Sequence, residues 1–64
     1  MRPNLKYART KAQMTQKQTA TALGICERYY QDIEAGTKEG KAALWDKLED
    51  LFRVPQRVLR ENSA

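Results

Sequence analysis

Histidine is absent from this 64-residue chain, and cysteine occurs only once, as Cys26. A single thiol cannot form a disulfide within the chain, and the ligands of a conventional zinc cluster are missing. The sequence therefore predicts no metal and no cofactor, and a reducing, cytoplasmic setting follows as the default. No combination of residues suggests a catalytic site, so we expect a protein that is not an enzyme.

Long apolar runs are also missing. No stretch approaches the roughly 20 residues that a membrane-spanning helix needs, and the basic amino-terminal stretch lacks the apolar centre of a signal peptide. We therefore expect residues 1–64 to form a single small domain, near the lower size limit for a core without disulfides.

Acidic residues are unevenly distributed along the chain. Residues 1–26 contain none, whereas residues 27–64 contain eight acids against seven bases, and the net charge is +4. An unopposed positive segment attracts polyanions, nucleic acid first and anionic membrane second. A basic surface that serves only solubility is the alternative. The five bases of the first segment are Arg2, Lys6, Arg9, Lys11 and Lys17.

Helical spacing of apolar residues predicts a compact all-α domain of five helices with no strand. Pro3 and Asn4 mark the first start, with Asn4 as the capping side chain, and Thr15 with Gln18 forms a capping box at the second. The tail from Asn62 to Ala64 is expected to fray. The predicted helices span 4–12, 16–23, 26–35 and 41–52, followed by a last one that opens at Pro55.

The segment from Thr15 to Gly36 predicts two short helices that meet at a sharp corner. Gly24 supplies the left-handed backbone conformation of the corner, and Ala20 allows the two helices to approach closely. Tyr30 and Ile33 point inward on a helical wheel, which leaves a wholly polar outer face centred on Arg28 and Asp32.

This pattern resembles the helix-turn-helix domain of Cro and the lambdoid phage repressors, often called Xre-like, over about residues 4–60. The resemblance implies that the third helix reads the major groove while the second lies across the DNA backbone. Its residues are Thr15, Gln16, Ala20, Leu23, Gly24, Ile25, Tyr30, Ile33, Glu34 and Gly36, with Leu44, Leu48 and Val54 beyond them.

The resemblance also implies a set of DNA contacts. Glu27, Arg28 and Asp32 match base-reading positions, with Tyr29 and Gln31 beside them. Phosphate contacts are implied at the start of the second helix and in the loop after the third, by Gln16, Lys17, Thr37, Lys38 and Lys41.

Arg28 has two interpretations at the level of sequence. Its guanidinium can bond guanine O6 and N7 together, or it can pair with Asp32 four residues on. We favour the base contact. Glu27 and Asp32 can accept from cytosine, yet they also repel phosphates, so they favour selectivity over affinity or a face without a DNA role.

Arg9 and Glu34 match a pair that forms a salt bridge in the phage repressors, and we predict a structural ion pair between them. Ala20, Gly24, Tyr30 and Ile33 complete the structural set. Cys26 replaces the usual serine or threonine cap of the third helix, and a buried capping thiol is expected there rather than a redox switch.

The sequence as a whole predicts a regulator that binds double-stranded DNA, of the phage or mobile-element kind. One small domain reads too few bases for specificity, so we expect a homodimer on a palindromic operator. The candidate dimer surface consists of Trp45, Phe52, Val58 and Leu59. The alternative is the same fold used as a protein-interaction module, an antirepressor or antitoxin partner, without specific DNA binding.

Overall fold

Five α-helices form the framework of the computed structural model, which describes residues 1–63. The all-α prediction is confirmed, and each predicted boundary lies within one residue of an observed one. The helices are α1 (Pro3–Lys11), α2 (Gln16–Leu23), α3 (Glu27–Ala35), α4 (Ala42–Phe52) and α5 (Gln56–Leu59).

The start of α1 differs from the prediction in its cap. Pro3 opens the helix and Arg2 is the capping residue, but no side chain caps the first turn. The Asn4 side chain, predicted to be the cap, instead donates to the Val58 carbonyl at 3.1 Å and to Glu61 at 2.7 Å. Because α1 begins at Pro3, one residue earlier than predicted, Asn4 lies inside the helix. Its side-chain amide there joins α1 to α5.

The capping box at the start of α2 is confirmed. Thr15 Oγ1 accepts from the Gln18 backbone, and the Gln18 side chain accepts from the Thr15 backbone. Gly24 ends α2 at φ +75°, and a β-carbon there would meet no atom within 4 Å. Glycine is therefore favoured at this corner by backbone conformation and not by crowding.

The core lies where α3, α4 and α5 meet α1 and α2. Trp45 and Leu59, predicted to belong to a dimer surface, are fully buried in it, so that prediction is wrong for both. Phe52 and Val58 remain half-buried. The helical period predicts which face of α4 is apolar, but not how deeply the margin of that face is covered by α5 and by the N-terminal segment.

The C-terminal tail is held against the start of the chain. The Ser63 amide donates to the Met1 carbonyl at 2.8 Å, and Asn62 Nδ2 donates to the Gly36 carbonyl at 3.1 Å. The predicted fraying is therefore wrong for these two residues, and Ala64 lies outside the described residues. Contacts between the two ends of a chain leave no local signal in the sequence.

Candidate nucleic-acid interface

The outer face of α3 carries charged side chains that are free of the core. The Arg28 side chain is 83% exposed, and its Nε lies 3.6 Å from the Asp32 carboxylate. An exposed pair four residues apart on a helix stabilises it by only about 0.3–0.5 kcal/mol. Gln31 donates to Glu27 at 3.4 Å on the same helix. Both interactions are weak enough to be exchanged for contacts with a ligand.

A polar recess of about 430 Å³ borders this face on the side of α1 and α2. Gln16, at the first position of α2, and Gln31, on α3, both line it. Lys6 from α1 lines it as well, although no motif distinguishes that lysine from the other bases of the N-terminal segment. Only the packing of α1 beside α3 brings Lys6 to this border, so no motif could have identified it.

On the opposite side of α3, two lysines lie near Tyr29. Lys38 Nζ lies 5.9 Å from the centre of the Tyr29 ring, within reach of a cation–π interaction. Lys41, the capping residue of α4, lines a groove with Tyr29. Two predicted phosphate-contacting lysines and a predicted neighbour of the reading helix thus lie together.

Two other predicted contact residues are placed differently. Thr37 is engaged with the end of α3, since its backbone N–H and its hydroxyl both donate to the Asp32 carbonyl. Lys17 is exposed near the start of α2 and lines neither of the two borders. Neither residue belongs to a cluster in the free protein.

The Arg9–Glu34 ion pair ties α1 to α3 behind the outer face. Arg9 Nε and Nη2 donate to the two carboxylate oxygens at 2.9 and 3.0 Å, and both side chains are largely buried, 11% and 5% exposed. Hydrogen bonding to Glu34 raises the pKa of Arg9, against the lowering effect of burial. Arg9 Nη1 also donates to the Met14 carbonyl at 2.8 Å, which holds the α1–α2 loop.

The Tyr30 hydroxyl lies fully buried near this pair and makes no hydrogen bond of acceptable geometry. Burial raises the pKa of Tyr30 well above its ordinary value, and the negative charge of Glu34 raises it further. The folded protein therefore strongly favours the neutral phenol.

Replacement of Tyr30 by Phe is expected to raise the unfolding free energy at neutral pH by about 1 kcal/mol, since a buried unsatisfied hydroxyl is removed. Because the pKa of Tyr30 is raised in the folded state, its ionisation does not lower the unfolding free energy below about pH 10, the ordinary pKa of a tyrosine. Above that pH, wild-type stability falls by about 1.4 kcal/mol per pH unit on this account. Tyr30→Phe should lack this loss in urea denaturation followed by circular dichroism.

Exposed Tyr7 offers the matched control, because 66% of this residue is accessible to solvent. Tyr7→Phe should retain the wild-type decline in stability above pH 10. An equally steep decline in Tyr30→Phe would contradict the assignment.

The basic N-terminal segment does not present all its charge to one side. Arg2 is buried, and Arg9 is committed to Glu34. Lys11 lines a groove with Phe52 and Val54 that includes none of the predicted DNA contacts. Of the five unopposed bases, Lys6 and Lys17 therefore remain for the predicted DNA face.

Cys26 corrects another prediction. It is the capping residue of α3, but its thiol is exposed and accepts no capping hydrogen bond, so the expected buried capping thiol is wrong. A backbone in extended conformation suffices to start α3 here. Across residues 1–63, no group of histidine, cysteine or acidic residues could hold a metal ion. In that same part of the chain, every helix is too short or too polar to traverse a bilayer.

Comparison with known proteins identifies one family. A family model described as helix-turn-helix matches residues 5–56, which include most of α1, all of α2 to α4 and the turn between α2 and α3. No curated protein matches the chain, and no solved structure does either. The match covers Lys6 and Gln16, the outer face of α3 and the loop that follows it.

Proposed function

The chain belongs to the helix-turn-helix family of the Xre and Cro type, whose members are DNA-binding regulators, and we propose that it represses transcription from a specific operator. The operator would belong to a phage or another mobile element. The observation that carries the proposal is the arrangement around α3: a charged outer face with Lys6 and Gln16 beside it on one side and Lys41 on the other.

The reading residues in this proposal lie on α3. Arg28 leaves its weak pair with Asp32 and bonds guanine O6 and N7 in the major groove, a contact worth about 1–3 kcal/mol of discrimination. Glu27 and Asp32 accept from cytosine amino groups, and Tyr29 and Gln31 contact sugar or phosphate.

The proposed phosphate contacts lie on both sides of α3. Gln16 and Lys17 act at the start of α2, where the positive end of the helix dipole assists them. Thr37, Lys38 and Lys41 act on the other side of α3. We add Lys6 to this proposed set, because it lines the same recess as Gln16. Contacts on both sides of the reading helix fix its orientation in the groove.

Two copies are proposed to bind a palindrome with half-sites about one helical turn apart. Phe52 and Val58 are the members of the predicted dimer surface that remain accessible. They line a groove with the exposed ring of Tyr7, and this groove is the candidate contact between copies.

A protein-interaction role is the second candidate, and a specific observation favours it. Glu27 and Asp32 place two carboxylates on the face that would enter a strongly negative groove. A basic protein surface would complement them better than phosphate does. Selection of bound sequences from random duplexes decides between the candidates, because only a DNA reader enriches a motif.

The contrast between Arg28→Ala and Lys38→Ala tests the two proposed roles. Arg28→Ala should relax the preference at one base pair, at a cost of about 1–3 kcal/mol on the preferred sequence. Lys38→Ala should weaken all sequences alike, since a phosphate carries no sequence information. Binding of both variants to the selected duplex and to single-base variants of it gives the measurement. Equal, sequence-independent losses would contradict the role of Arg28 as a reader.

A further inference from the structure

Arg2 carries one of the most enclosed polar side chains in the described chain, with 2% of the residue exposed. Neither of the two ion pairs found among residues 1–63 involves it. A buried cation without a counter-ion costs several kcal/mol unless hydrogen bonds replace its hydration. The fold therefore has to supply acceptors for this guanidinium.

Three backbone carbonyl groups supply them. Arg2 Nη1 donates to the carbonyls of Ile33 at 2.6 Å and Lys38 at 2.9 Å, and Nε donates to the carbonyl of Arg60 at 3.2 Å. The Ile33 carbonyl lies in the last turn of α3, where the helix dipole adds negative potential. One side chain thus joins the end of α3, the loop after it and the end of α5.

Trp45 contacts both Arg2 and the same loop. Its ring centre lies 5.1 Å from the Arg2 guanidinium carbon, and its Nε1 donates to the Glu39 carbonyl at 2.9 Å. Gly40 lies so close that a β-carbon would come within 3.0 Å of Trp45 Nε1. The carbonyls of two consecutive loop residues, Lys38 and Glu39, are therefore both fixed by buried donors.

We propose that Arg2 is a positioning residue for DNA binding. It fixes the backbone of Lys38, so that the lysine ammonium lies beside Tyr29 at the edge of α3. Arg2 itself does not touch DNA. The observed 5.9 Å between Lys38 Nζ and the Tyr29 ring is the geometry that it maintains. This inference rests on the proposed function, since it concerns how a phosphate contact is placed.

The test compares Arg2→Lys, Lys38→Ala and the double variant on a mixed-sequence duplex of about two helical turns. Arg2→Lys keeps the net charge, but the lysine side chain ends one bond short of Nη1 and lacks the separate Nε donor, so it cannot reproduce the three hydrogen bonds. For each bound copy, we expect either single variant to weaken binding about fivefold near 0.15 M salt and to reduce the salt slope by about 0.9. The double variant should bind no more weakly than Lys38→Ala, because the two residues act through one contact.

Arg60→Lys is the matched control. Arg60 also lies over the Trp45 ring, at 5.6 Å, but its side chain makes no hydrogen bond to the loop. Its replacement should leave the salt slope unchanged. Circular dichroism of each variant establishes that the protein compared is folded.

An unchanged salt slope in Arg2→Lys, or losses that multiply in the double variant, would overturn the inference and leave the proposed function standing. If Arg2→Lys does not fold, Trp45→Phe replaces it, since that change keeps a buried aromatic ring and removes the donor to Glu39 together with part of the buried volume. Independent losses from Trp45→Phe and Lys38→Ala would likewise overturn the inference. Failure of the wild-type protein to bind any duplex would instead overturn the proposed function, and the inference with it.

Discussion

Arg9→Met is expected to lower the unfolding free energy by about 3–5 kcal/mol. The change preserves an apolar stem but leaves the Glu34 carboxylate buried without its counter-charge. It also frees the Met14 carbonyl, and with it the α1–α2 loop. A domain of this size has only about 3–10 kcal/mol in total, so a large part of the variant should be unfolded at 37 °C.

The exposed pair on α3 supplies the control for this loss. Arg28→Met removes the same charge from a side chain that is 83% exposed, and it should cost no more than about 0.5 kcal/mol. Arg9→Met combined with Glu34→Leu should recover most of the loss, because no unpaired charge then remains inside. Urea denaturation of the four proteins measures all these quantities. Similar losses of unfolding free energy in Arg9→Met and Arg28→Met would show that burial of the Arg9–Glu34 pair does not affect stability.

DNA affinity is expected to fall on the order of 10⁴-fold between about 50 and 200 mM salt if two copies bind the operator. Each copy contributes four lysines near proposed phosphate contacts, and the slope of log affinity against log salt is about −0.9 for each phosphate neutralised. The expected slope is therefore about −7 for two copies and about −3.5 for one. Those lysines are Lys6, Lys17, Lys38 and Lys41.

The slope separates the proposed function from its rival. Titration of the selected duplex at four or five salt concentrations, by fluorescence anisotropy, gives the slope directly. Arg57→Ala is the control, since Arg57 is exposed on α5, lines neither border of α3 and should change the slope little. Absence of salt-sensitive binding to any duplex, together with a stable complex with one protein partner, would favour the interaction module.

The helices of this fold can be predicted from the sequence because the patterns that specify them are local. The capping box at Thr15 and Gln18, the glycine at the corner and the apolar period of α4 each depend on residues within one or two turns. The predicted ion pair of Arg9 and Glu34 is long-range, and it could be predicted only through the resemblance to a known family. The described structure contains it.

What the sequence could not provide is the packing of segments that are distant along the chain. Arg2 is one of the five unopposed bases of the sequence, and a charged residue near a terminus is usually solvated. Its burial depends on carbonyls from three other segments, 31 to 58 residues away. The same reason explains the burial of Trp45, which α5 and the N-terminal segment cover.

The exposed thiol of Cys26 also makes α3 accessible to selective chemistry. It is the sole cysteine of the chain and stands directly before Glu27 and Arg28, at the start of the proposed reading helix. A thiol-reactive fluorophore can therefore be placed at the edge of this helix without any substitution. Because no second thiol competes for the reagent, attachment is stoichiometric and its site is known in advance.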